Sequence, residues 1–103
     1  MYARVISVQG NPGRLDDAIA FLRDEVIPQA RGMHGFRSGH WLVDRTDGRI
    51  VGIAFWETSE DVTASAAAMQ RLRERGAALL GGDVLATEVF EVVAEAYGDD
   101  ARR

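Results

Sequence analysis

Cysteine is absent from this chain, which excludes disulfides, thiolate metal sites and a cysteine nucleophile. Long apolar runs are also missing. No stretch approaches the length of a membrane span and no signal peptide precedes the first strand-like run, so a cytoplasmic protein with no membrane partner is the default expectation. A clustered positive face is the third absence. The twelve basic residues are spread along a chain of net charge −4, and no nucleic-acid partner is expected. Arg71, Arg73 and Arg75 come nearest to a cluster, but they alternate with Leu72 and Glu74 and read as the solvated face of a helix. The two histidines, His34 and His40, have no matched carboxylate cluster, so no metal site is expected. Gly10-Asn11-Pro12-Gly13 is too short for a phosphate loop and lacks its lysine.

What is present suits one folded domain. Hydrophobic residues make up 47% of 103 positions, enough for a single core and too few residues for two ordinary domains. The expected domain covers residues 1–95. The remainder, 96–103, has nothing to bury and reads as a flexible tail.

Periodicity divides the domain into six elements. A first strand is expected at 3–8, where Val5, Ile6 and Val8 supply β-branched residues. Turn residues at 9–13 end it, with Asn11 or Pro12 placed to start a helix. Leu15, Ala18, Ile19, Leu22 and Val26 form the apolar stripe of that helix, which Pro28 should kink or end. Two strands, at 36–45 and 49–56, flank Thr46-Asp47-Gly48, a strong hairpin signal. Thr58, Ser59, Glu60 and Asp61 make an acidic, capping start for a second helix. Its stripe reads Val62, Ala66, Met69 and Leu72, and Gly81-Gly82 stops it before a last strand at 84–93. The order β-α-β-β-α-β, with right-handed crossovers, predicts an α+β ferredoxin-like domain: a four-stranded antiparallel sheet carrying both helices on one face.

That arrangement leaves the other sheet face bare. In the 49–56 strand both faces are apolar: Val51, Ile53 and Phe55 on one, Ile50, Gly52, Ala54 and Trp56 on the other. Val89 and Val93 alternate with Phe90 and Val92 in the last strand to the same effect. A homodimer is therefore expected, two sheets packing through Val51, Ile53 and Phe55 into a dimeric α+β barrel.

On the second face Gly52 and Ala54 leave volume beside Trp56, which marks either a candidate substrate pocket or a space that helix residues such as Leu22 or Met69 fill. The hairpin register decides which neighbour joins them. A two-residue loop sets Trp41 opposite Ala54; a three-residue loop with a glycine bulge sets His40 there. Turn chemistry favours the longer loop, since Asp47 suits a type I turn and Gly48 the left-handed position after it. His40 is then the candidate catalytic acid–base group, with an ordinary pKa of roughly 6.5. His34 is expected to be exposed and structural.

Tyr2-Ala3-Arg4-Val5, the Pro28 helix end, Gly35-Phe36, Leu42-Val43-Asp44-Arg45 and Phe55-Trp56-Glu57-Thr58-Ser59-Glu60 together resemble the antibiotic biosynthesis monooxygenase-like group of dimeric α+β barrel proteins. The likeness runs over about residues 2–94. It implies the dimeric barrel, and it implies a small aromatic or polyketide-type ligand, oxidised without a cofactor because the substrate anion itself reduces oxygen. It also implies a pocket position for Trp56, and a substrate pocket lined by Trp56, Phe21 or Leu22, Met69 and one titratable group such as His40 would serve that chemistry. Haem-degrading members of the superfamily place a histidine on the second helix and an asparagine in the first strand. Here 62–80 holds no histidine, and Ser7 stands where that asparagine would be, with Asn11 beyond the strand end. Haem degradation is accordingly disfavoured. The resemblance leaves two functions open, a cofactor-independent monooxygenase and a non-catalytic barrel that binds a small molecule or a protein.

Overall fold

The computed structural model describes the backbone of residues 1–102 and the side chains of residues 1–100. The expected tail at 96–103 reaches outside this range; within it, Asp99–Arg102 form a 3-10 turn. Four strands, β1 (Tyr2–Gln9), β2 (Phe36–Asp44), β3 (Arg49–Trp56) and β4 (Asp83–Glu91), pair antiparallel in the order β2-β3-β1-β4. Asn11 starts the first helical run as expected, its Oδ1 accepting from the Gly13 amide at 2.8 Å.

That run is not one regular helix. A 3-10 turn at Pro12–Arg14 leads into α1 (Leu15–Phe21), then a π-helical stretch at Leu22–Val26, then α2 (Ile27–Arg31). Pro28 does not end the helical run, which is irregular just before it. It occupies the first turn of α2, where a missing amide costs little, directly after the Ile27 amide donates to the Leu22 carbonyl five residues back.

The second long helix, α3 (Ser59–Leu80), begins and ends as its sequence specifies. Thr58 Oγ1 accepts from the Asp61 amide at 3.1 Å. At the far end the Gly82 amide donates to Ala77 O and the Gly81 amide to Ala78 O, which satisfies the last carbonyls. Val62, Met69 and Leu72 are buried as predicted. Ser65, rather than Ala66, completes that face, because it bonds inward to the Val62 carbonyl and Arg4.

The hairpin corrects both predicted registers. Asp44 lies opposite Arg49, Trp41 opposite Gly52 and His40 opposite Ile53. The loop therefore holds four residues, Arg45 to Gly48. Asp44 draws it closed: its Oδ1 accepts from the amides of Thr46 at 2.9 Å and Asp47 at 3.4 Å, while its carbonyl accepts from Gly48 at 3.0 Å. Gly48 has φ of 80°, which glycine adopts without a Cβ penalty. This register also keeps Arg45 from standing opposite Arg49.

With the register fixed, the two faces of the sheet follow. Ile50, Gly52, Ala54 and Trp56 are all buried, paired across to Val8, Ile6, Arg4 and Tyr2 of β1. The core beneath the helices divides into two clusters. One centres on Trp56 with Phe21, Val26, Ala30, Ala54, Val62, Met69 and Leu72; the other joins Val8, Leu15, Ala18, Ile50, Ala77 and Leu80. Trp41 packs against both. On the opposite face Val51, Ile53 and Phe55 are half-buried, with Leu42 and Phe90 each more than half exposed.

Among the described residues, no helix is long and apolar enough to cross a membrane. The turn before β2 is tied to α3 by His34, whose Nδ1 lies 2.8 Å from Asp61 Oδ1, while Thr58 Oγ1 donates to Asp61 Oδ2 at 2.9 Å. The bond to Asp61 holds the His34 pKa above its ordinary value, and the bonds from His34 and Thr58 hold Asp61 below its own. A raised histidine stabilises the fold fully below its unfolded pKa of roughly 6.5 and ceases to as pH climbs through the folded value; a depressed aspartate stabilises above roughly pH 3.9 and ceases to as pH falls through its folded value. Urea midpoints should therefore fall modestly between pH 6 and 8, and His34→Gln should flatten that decline. An equal decline in the variant would remove His34 as its cause.

Candidate functional site

The seam between the two core clusters is not closed. A cavity of about 60 Å³ lies there, walled by Ile6, Val8 and Ile50 from the sheet, Ala18, Phe21, Leu22 and Val26 from the first helical run, and Met69, Leu72, Gly76 and Ala77 from α3. Arg4, Arg73, Trp41, Gly52, Ile53 and Ala54 complete it. Five of the residues expected to share a pocket, Phe21, Leu22, Gly52, Ala54 and Met69, are thus brought together. Leu22 and Val26 bound the π-helical stretch, a type of irregularity often found where a helix lines a site.

Trp56 differs from expectation. It is fully buried and is not among the lining residues; its ring packs edge-on against Phe36, centroids 5.3 Å apart and planes at 72°. The indole that does line the cavity is Trp41. It fills the volume that Gly52 leaves: a Cβ added at Gly52 would come within 2.9 Å of Trp41 Cδ1 and Nε1, and one added at Gly39 within 2.7 Å of its Cη2. Two glycines on adjacent strands therefore let the indole lie close along the sheet.

His40 is not brought to the cavity. Its partner is Ile53, so its side chain shares the bare sheet face with Val51, Ile53 and Phe55, and it is exposed. The cause is the four-residue loop: shifting the pairing by one residue from the longer loop considered above moves every side chain of β2 to the other face. His34 is exposed and structural as expected, its side chain 96% accessible.

The charged residues of the cavity were not foreseen. Arg4 is only 4% exposed although it carries a full charge. Its Nη2 donates to the Val62 carbonyl at 2.6 Å and to Ser65 Oγ at 3.2 Å, and the guanidinium carbon lies 5.5 Å from the Trp56 ring centroid. Its Nη1 is buried without a partner, as is Trp56 Nε1. Burial, and then the charge of Arg73, push the Arg4 guanidinium below its ordinary pKa; burial does the same to Arg73. Arg73 thus departs from the solvated face assigned to it. Arg71 is exposed, and Arg75 stacks over the Phe21 ring at 5.0 Å. The available signal was positional: Arg4 alternates with Tyr2, Ile6 and Val8 on the strand face that turns inward.

Comparison with known proteins gives the fold a context. No family model matches the sequence. Two uncharacterised proteins of Mycobacterium tuberculosis resemble it, one 37% identical over 94 residues and the other 33% identical over 88. These stretches cover 91% and 85% of this chain but only 42% and 37% of the relatives, so the chain spans about two fifths of their length. Among solved structures, SnoaB, a cofactor-independent oxygenase from Streptomyces nogalater, superposes with a TM-score of 0.67 at 16% identity, over 91% of this chain and 94% of its own. A monooxygenase from Streptomyces coelicolor, solved with the ligand nanaomycin D, gives 0.65 at 18% identity over 93% and 88%. A protein of unknown function from Nitrosomonas europaea gives 0.73 at 17% identity over 94% and 93%. With its strand order, its helices on one face and these superpositions together, the chain has the fold of the antibiotic biosynthesis monooxygenases.

Proposed function

We propose that this chain is a monooxygenase-like protein that takes a small aromatic compound into the cavity between its helices and sheet, and that it works as a homodimer closed through Val51, Ile53 and Phe55. The observation that carries this reading is the cavity itself: an apolar space beside a flat-lying indole, in a fold that a cofactor-independent oxygenase and a nanaomycin-bound monooxygenase share. Roughly 10–15 Å³ of such space holds one water, so about 60 Å³ suits a single ring better than a fused polyketide.

Oxidation without a cofactor balances for a phenolic substrate. The ring anion supplies the electrons, one oxygen atom becomes the new carbonyl, and the other leaves as water with the two hydrogens displaced. The protein would orient the ring and exclude bulk water. A second reading has one observation in its favour. The titratable side chains lining the cavity are Arg4 and Arg73, and neither accepts a proton at neutral pH. A barrel that binds an aromatic compound without turning it over fits that lining, and an enzyme built on it depends on a substrate that ionises in solution.

Oxygen uptake with hydroquinone and 1,4-dihydroxynaphthalene, alongside quenching of tryptophan fluorescence, separates the two. Uptake above the autoxidation rate, retained in His40→Ala, supports the enzyme. Saturable quenching with no added uptake supports the binding barrel. No quenching by any of the panel would defeat both.

A further inference from the structure

We infer that the compound held by this cavity carries an acid group, a carboxylate attached to the aromatic ring, and that Arg4 holds it. This rests on the reading of the cavity as a binding site and names the chemistry of its occupant.

A cavity for a neutral aromatic needs no charge. Burying a guanidinium in one is costly unless something compensates it. Here Arg4 is 96% buried by its 4% exposure, and what compensates it inside the chain is incomplete. Nη2 has two acceptors, whereas Nη1 has none. No ion pair joins Arg4 to a carboxylate among the described residues, and the second charge lining the space, Arg73, is also positive. Among the described residues, no aspartate or glutamate lines the cavity.

The surroundings are rich in donors and poor in acceptors. Arg73, the other charged side chain of the lining, likewise only donates. A neutral hydroxyl would satisfy one donor and leave the positive charge unanswered. A carboxylate supplies charge and several lone pairs together, in the planar geometry that guanidinium matches best. The rest of the ligand is set by the walls, Trp41, Leu72 and Phe21, which are apolar and aromatic. A benzoate-sized acid within reach of Nη1 would meet these conditions while Nη2 keeps its bonds to Val62 and Ser65.

Isothermal titration with 2,5-dihydroxybenzoate and its amide, 2,5-dihydroxybenzamide, tests this at pH 7 and low salt. The two probes share shape and ring hydroxyls and differ in charge. The acid should bind at least about tenfold tighter, as expected for hydrogen bonds to a charged group. Arg4→Gln should abolish that preference. The isosteric pair on the unaltered chain decides the matter even where R4Q fails to fold. Equal affinity for acid and amide overturns the acid inference while leaving the cavity as a binding site. Binding of neither overturns the cavity reading as well.

Discussion

Trp56→Ala is expected to lower stability by about 3–5 kcal/mol, the range for truncating a fully buried aromatic. The side chain has no solvent exposure, sits at the centre of the larger core cluster and packs edge-on against Phe36. It also carries the Arg4 guanidinium over its ring, so its removal strips a buried cation of one of its few partners. Domains of this size are stable by only about 5–15 kcal/mol, and the loss corresponds to a fall in melting temperature of roughly 15 °C or more. Trp56→Phe should cost much less, because it keeps a ring beneath Arg4 and removes an indole N–H that has no partner. Thermal melts of the three proteins at one concentration check this. A W56A variant melting within a few degrees of the parent would show that the ring is not the keystone of that cluster.

The second large effect concerns the bare sheet face. Light scattering coupled to size exclusion should report about twice 11.3 kDa for the unaltered chain. Phe55→Arg should halve that mass, since it sets an unpaired charge among Val51, Ile53 and the partner's equivalents. A penalty of about 3 kcal/mol or more, roughly a hundredfold or more in dissociation constant, is expected for such a buried charge. Nothing on the helix side should change, because Phe55 faces away from the cavity. A monomer at micromolar concentration for the parent chain would remove the reason for two apolar faces on β3.

Much of the fold was legible because local signals agreed. β3 was placed with its observed ends, Arg49–Trp56, since a turn precedes it and a capping threonine follows. Gly81-Gly82 ended α3 as expected. The hairpin register was not legible, because it turned on the Asp44 side chain: by accepting from two loop amides it lengthened the loop beyond what Asp47-Gly48 alone suggested. One residue of register exchanged His40 for Trp41 on the inner face, and with it the candidate chemistry changed from proton transfer to stacking. Pro28 marked an irregular point in the helix and not its end, since π-helical bonding precedes it and the chain stays helical to Arg31.

The cavity itself was half legible. Small residues on an inward strand face marked its place, and the apolar stripes of both helices named its walls. Its charge was hidden, because an arginine in a strand reads as an outward residue until the register shows that it turns inward. Arg73 was hidden by Arg71 and Arg75, which flank it in sequence yet point elsewhere.

The central claim is that ligands enter the helix side of the sheet, beside Trp41, and not the face bearing His40. The chain has two tryptophans, hence two indole N–H resonances, both on that side. A ¹H–¹⁵N titration with 2,5-dihydroxybenzoate should shift both indole signals together with the amides of Gly52 and Leu72, and leave the His40 and Leu42 amides little changed. Indole signals that stay fixed while His40 and Leu42 move would contradict the account.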